Sequence, residues 1–222
     1  MGLINFGLPE AETKFLKENL GLNCLVEGGT YRGVTAKRMS FIFESVYTIE
    51  KSEEMFRIAE NNLSEISNVI MLKGDTRQYL SKLLTENDNI LFWLDAHWSG
   101  GKTYGKGDEC PLIEELNIIF SYKKNYIIMI DDARLFLSPP PLPHEIRNWP
   151  SLSEIYKVLP DGWDLLILDD VIYLFPEKIS EKFKIFIQKI VTNKTNTKVL
   201  VAPTMLNGFK IVMKSIVAGK IL

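Results

Sequence analysis

The chain is poor in cysteine and histidine, with two of each in 222 residues. Cys24 and Cys110 are too few to staple a fold and lack metal-type spacing, so a disulfide scaffold and a structural zinc module are both excluded, and the two read as reduced thiols. Excess charge is lacking as well. The 26 Lys and Arg against 28 Asp and Glu leave a formal net charge of -2, which argues against general affinity for nucleic acid or for an anionic membrane. No apolar run reaches the ~20 residues that span a bilayer. Residues 1–6 have no basic segment leading into a long apolar stretch, and Phe6 stands where a myristoylation signal needs Ser or Thr. A soluble cytoplasmic protein is the expectation, and 46% hydrophobic residues suffice for one packed core.

What is present is organised around one stretch. An apolar strand at 23–26 runs into Glu27-Gly28-Gly29-Thr30-Tyr31-Arg32-Gly33 and then into the helix-compatible Val34-Thr35-Ala36-Lys37-Arg38-Met39. Strand, glycine bend and helix N-terminus in that order mark a nucleotide-binding edge of an α/β sheet. Glu27 sharpens this, because a carboxylate at the strand end repels a pyrophosphate and accepts an ammonium or sulfonium. Gly29 and Gly33 let such a ligand approach the backbone. Among adenosine-based cofactors, S-adenosylmethionine has that charge pattern; an ordinary glycine turn is the plain alternative.

Along the chain, strands are expected at 46–49, 69–72, 90–94 and 126–130, alternating with helices at 9–20, 53–66, 77–84 and 112–120, with one helix ending over 41–45. Glu50 follows the second strand about twenty residues after the bend, where an open α/β fold sets an acid against ribose hydroxyls; it also precedes a helix start. Asp75 follows the third strand and can cap the next helix, lie near an adenine amino group, or do both at once. The fourth strand delivers Asp95, Ala96, His97 and Trp98, and the fifth Asp131 and Asp132, adjacent acids that otherwise pair with Arg134. His97 has the pKa range of a general base, or simply bonds loop backbone. Residues 137–150 are too proline-rich for a helix and form a loop over the site. His144 within it is a weaker candidate for substrate contact and reads first as a surface residue. A short helix at 153–159 and an antiparallel hairpin turning at Asp169-Asp170 follow, then a helix at 177–191, a polar break at 193–198, and an apolar tail that adds to the core or forms a homodimer surface.

This layout resembles the class I S-adenosylmethionine-dependent methyltransferases. Glu27-x-Gly29-x-Tyr31-x-Gly33, Glu50, Asp75 and Asp95 are similar to their successive motifs. Tyr31 in place of the middle glycine resembles the sugar-tailoring and cephalosporin-hydroxylase-like branch. The resemblance implies a Rossmann-like three-layer α/β/α sandwich with a seven-stranded, mostly parallel sheet and an antiparallel C-terminal hairpin. It implies a methyltransferase domain over 1–178, a helical extension over 179–222, and a cofactor held by Glu27, Gly29, Thr30, Gly33, Glu50, Asp75, Thr76 and Asp95. The implied acceptor is a small hydroxylated molecule, with no nucleic acid or membrane partner. Members similar to catechol O-methyltransferase hold Mg²⁺ at positions matching Asp95, Asp131 and Asp132. His97 and Asp95 are then the candidate catalytic residues, and Trp98, Tyr104 and Trp149 would suit a flat or sugar-like acceptor. Two rivals differ in class: a phosphate loop at 96–103 making a nucleotide phosphotransferase, and a non-catalytic protein that binds an adenosyl ligand.

Overall fold

The computed structural model describes residues 7–98 and 107–201. The chain divides into two units, Met1–Glu181 and Lys182–Leu222, and the fold and site described below belong to the first. Seven strands form one sheet in the order β3-β2-β1-β4-β5-β7-β6. These are β1 (Cys24–Gly28), β2 (Ser45–Glu50), β3 (Val69–Lys73), β4 (Ile90–Leu94), β5 (Tyr126–Ile130), β6 (Trp163–Leu168) and β7 (Val171–Pro176). The first five pair in parallel, while β7 is antiparallel to both β5 and β6. Every residue of β1, β4 and β5 is buried, as continuous apolar runs covered on both faces must be.

The pleat divides the core in two. Val26, Phe92, Leu94, Ile128 and Ile130 join Leu80, Leu83 and Leu84 of α4 (Thr76–Glu86) and Leu112, Leu116 and Ile119 of α5 (Leu112–Phe120). The alternate residues Leu25, Leu91, Trp93, Ile127 and Met129 turn to the other face and are equally buried. Buried Leu16 lies on α1 (Glu10–Leu20), Ala36 and Met39 on α2 (Val34–Met39), and Ala59 and Leu63 on α3 (Glu53–Leu63). The order reverses between β1 and β4, so the crevice at their C-terminal ends is the natural ligand site of such a sheet.

Local chemistry sets most boundaries. Gly21 closes α1 in the left-handed region at φ 64°. Ser52 caps α3, and Asp75 with Gln78 forms a capping box on α4. The hairpin turns on Asp169 and Asp170 at φ 48° and 71°, the backbone of a primed two-residue turn. Some expectations need correction. The helix after the glycine bend ends at Met39, and Ser45 already belongs to β2. A short α6 (Arg134–Leu137) opens the proline-rich loop, and α7 (Leu152–Lys157) follows it. No break occurs at 193–198, since α8 (Ser180–Val201) continues through it. Among the described residues no helix is long and apolar enough to cross a membrane. Residues 202–222, most of the tail expected to add to the core or to a dimer surface, lie outside the described residues.

Candidate active site

The bend after β1 is held close to the loop after β4. Gly29 has φ 91°, and a β-carbon there would stand 2.3 Å from the Asp95 carbonyl oxygen, so only glycine fits. Tyr31 sits at φ 50° and donates its backbone N–H to Glu50 Oε2 at 2.8 Å. Glu50 Oε1 accepts from the Ser52 N–H at 2.8 Å. Glu50 thus fixes both the bend and the start of α3, and each oxygen keeps a lone pair for a further donor. Burial raises its pKa against these backbone bonds.

Glu27 is 1% exposed. It accepts the Thr48 hydroxyl at 2.5 Å, and Thr48 in turn lies 2.6 Å from the Thr30 hydroxyl. Burial pushes its pKa up to about 8, opposed by the Thr48 bond and by the charge of Arg38, and reinforced by Asp95 and Glu50. Among the described residues no ammonium or guanidinium pairs with it. A buried carboxyl in direct contact with no cation among the described residues, beside a bend that a β-carbon would fill, fits a cationic ligand that approaches the backbone.

Asp75 is committed elsewhere. It accepts from the Arg77 backbone N–H at 3.0 Å, Arg77 Nε at 2.8 Å, Arg77 Nη2 at 2.7 Å and Lys51 Nζ at 2.8 Å, and Arg77 continues to Asp108 and Glu114. The Arg77 guanidinium holds the Asp75 carboxyl well below the usual range. Thr76, buried at the start of α4, directs its hydroxyl at Glu115 of α5. Glu115 is a buried acid that the sequence reading passed over.

On the other side of the crevice the structure brings Asp95, His97, Asp131 and Asp132 together. His97 Nε2 lies 2.7 Å from Asp132 Oδ2 and 3.8 Å from Asp95 Oδ1. Asp132 takes the uncommon φ of 56°, and its Oδ1 accepts from Arg134 at 2.6 Å. Arg134 also pairs with Asp170 in the hairpin turn. Burial opposes charge on His97, but the bond to Asp132 and the nearby Asp95 and Asp131 outweigh it and raise its pKa. Asp132 is lowered, because His97 and Arg134 overcome its burial. Burial raises Asp95 and Asp131. Asp131 Oδ1 accepts the Asp132 N–H at 2.8 Å, while Oδ2 has no partner among the described residues. The expected Mg²⁺ ligands are thus adjacent, yet both oxygens of Asp132 already serve basic side chains. Among the described residues no group of acids, histidines and cysteines is arranged to hold a metal ion.

A second carboxylate missed in the sequence reading ties the flanking loops together. Glu109, 2% exposed, accepts from Trp149 Nε1 at 2.7 Å, from the Glu145 N–H at 3.2 Å and faces His144 Nδ1 at 3.2 Å. Its own carbonyl accepts the Trp98 N–H at 2.7 Å. Burial opposes its charge, but the Trp149, Glu145 and His144 donors prevail and lower its pKa. His144 is therefore no surface residue: its ring meets Trp98 and Trp149 edge-on at 5.3 and 5.1 Å. Trp98 and Trp149 are 9% and 7% exposed, so they are packing partners rather than an open platform, and Tyr104 lies outside the described residues. The same holds for 99–103 of the phosphate-loop reading, whose first three residues leave β4 without entering a helix.

No protein-family model and no curated protein sequence matches the chain. Solved structures do. A Staphylococcus aureus protein described as a candidate caffeoyl-CoA O-methyltransferase superposes with a TM-score of 0.52 at 15% identity, covering 75% of this chain and 83% of that one. The fold is that of the class I methyltransferases. Aeropyrum pernix fibrillarin, crystallised with natively bound S-adenosyl-L-methionine, aligns at a TM-score of 0.44 and 15% identity over 73% of this chain and 74% of its own. In this sheet the parallel strands β1, β2, β4 and β5 bring their C-terminal ends, and the acids there, to one edge.

Proposed function

We propose that the protein binds S-adenosylmethionine in the crevice between β1 and β4 and transfers a methyl group to a hydroxyl oxygen of a small acceptor, sugar-like or natural-product-like. The observation that carries this reading is Glu27, a buried carboxyl with no ion-paired partner among the described residues, at the glycine bend of a class I methyltransferase fold. When bound, the cofactor supplies a methyl group already activated on a sulfonium. Glu27 ionises against the ligand's positive charge, and Glu50 accepts from ribose hydroxyls with its remaining lone pairs. Gly29 and Gly33 leave room at the bend, and Thr30, Thr76 and Asp95 line its approaches. Asp75 supports the site by capping α4.

His97 is the proposed base. With its Nε2 proton donated to Asp132, Nδ1 is left to take the acceptor's proton, while Arg134 and Asp170 hold Asp132 in place. Alignment of oxygen and methyl does the remaining work. A Mg²⁺-assisted version would use Asp95, Asp131 and Asp132; because both Asp132 oxygens already serve basic side chains, the metal-free version is preferred. A cytoplasmic location belongs to the same proposal and rests on the two free cysteines. The test is a screen of hydroxylated acceptors for S-adenosylhomocysteine release, with Mg²⁺ and with EDTA. Turnover that survives EDTA is expected. Turnover abolished by EDTA would move the chemistry to the acid cluster, and binding of ATP without S-adenosylmethionine binding would overturn the proposal.

A further inference from the structure

Asp75 has no oxygen to spare for a ligand, but a carboxyl one helix further on does. Glu115 lies in the first turn of α5, 2% exposed, and its Oε1 has no hydrogen-bond partner among the described residues. The Thr76 hydroxyl is directed at this carboxyl. That hydroxyl oxygen stands 2.9 Å from where a β-carbon on Gly28 would be, with the Ala96 methyl 3.5 Å from the same point. Glu115 therefore lies behind the place where the loops after β1, β3 and β4 meet, and it feels the charges of Asp75, Arg77 and His97. A buried carboxyl oxygen left unpaired is costly, and an N–H donor relieves the cost.

We infer that Glu115 recognises the exocyclic amino group of the adenine ring in the bound donor. The inference rests on the proposed S-adenosylmethionine site and adds the residue that selects the base. An amino group offers a hydrogen to the unpartnered oxygen. A ring with a carbonyl at that position would set acceptor against acceptor and be rejected. Burial, reinforced by Asp75, pushes the Glu115 pKa up to about 7, so the rejection of a carbonyl belongs to the ionised carboxyl, an acceptor alone, and the titrations below are read at about pH 8.

The test is isothermal titration of the full chain and of Glu115→Leu and Glu115→Gln variants with S-adenosylhomocysteine and with S-inosylhomocysteine, in which oxygen replaces that amino group. The parent protein should prefer the adenosyl compound by about 10- to 100-fold. Glu115→Leu should lose that preference through weaker adenosyl binding, with inosyl binding little changed. Glu115→Gln, whose amide can present either group, should bind the two within about threefold. If the leucine variant fails to fold, the glutamine variant carries the test. An unchanged preference in the folded variants overturns the role of Glu115 and leaves the cofactor site standing. A parent protein that binds neither compound overturns the cofactor site itself, and the inference with it.

Discussion

At the scale of single residues, the acids that close strands were legible because each follows a short apolar run, and a run of that kind fixes where the strand ends. Glu109 and Glu115 were not, because an acid in a loop or helix has no distinctive local pattern and their partners come from far away, 40 residues in the case of Trp149. Asp75 had two readings that can hold together, and of these the capping box with Gln78 is the one seen. Two predictions belong here. Glu27→Gln keeps the shape and the Thr48 bond but removes the charge, so S-adenosylmethionine binding should weaken by about 10- to 100-fold, measured by titration. Parent affinity should also rise between pH 6 and 8 as Glu27, with its pKa near 8, gives up its proton, and the variant should lose this dependence. His97→Ala and Asp132→Asn should each lower kcat by about 10²- to 10⁴-fold while leaving cofactor affinity nearly intact; a parent-like kcat in His97→Ala would remove it as the base.

Among elements, the strands were readable as short apolar runs between helical segments, whereas the end of the last helix was not. Residues 193–198 are polar, but they contain neither glycine nor proline, and polar residues on an exposed helix surface give no reason to stop. The proline-rich segment was correctly a loop, but its anchoring was invisible because it depends on Glu109. Glu109→Gln should destabilise the protein by about 1–3 kcal/mol and speed proteolysis within 138–148 ahead of global unfolding; unchanged cleavage there would show that the carboxylate does not secure the loop. Gly29→Ala meets both a left-handed φ and a backbone oxygen that cannot move aside. It should cost about 2–4 kcal/mol in chemical denaturation.

For the whole molecule, the buried acids set how stability follows pH. An acid whose pKa rises on folding holds its proton more tightly in the native state, so stability falls as pH climbs between the unfolded and folded values. Glu27, raised from 4.5 to about 8, and Glu115, raised from 4.5 to about 7, place that window between about pH 4.5 and 8. His97, also raised, stabilises most at low pH and loses its contribution in the same direction. Asp75 and Asp132 are lowered from 3.8, so their contribution is complete above about pH 5 and lost only in acid. The ligand-free Tm should therefore peak near pH 5–6 and drop by roughly 5 °C by pH 8.5, and a flat or rising profile in differential scanning calorimetry would contradict the burial of these carboxyls.

The bond from Arg134 to Asp170 joins the start of α6 to the turn between β6 and β7. During synthesis, β1 to β5 and their acids leave the ribosome first, while Asp170, the partner of Arg134, emerges only with the hairpin. The chain His97–Asp132–Arg134–Asp170 is thus closed by the last turn of the sheet to be made, so the alignment of His97 waits on the completed hairpin.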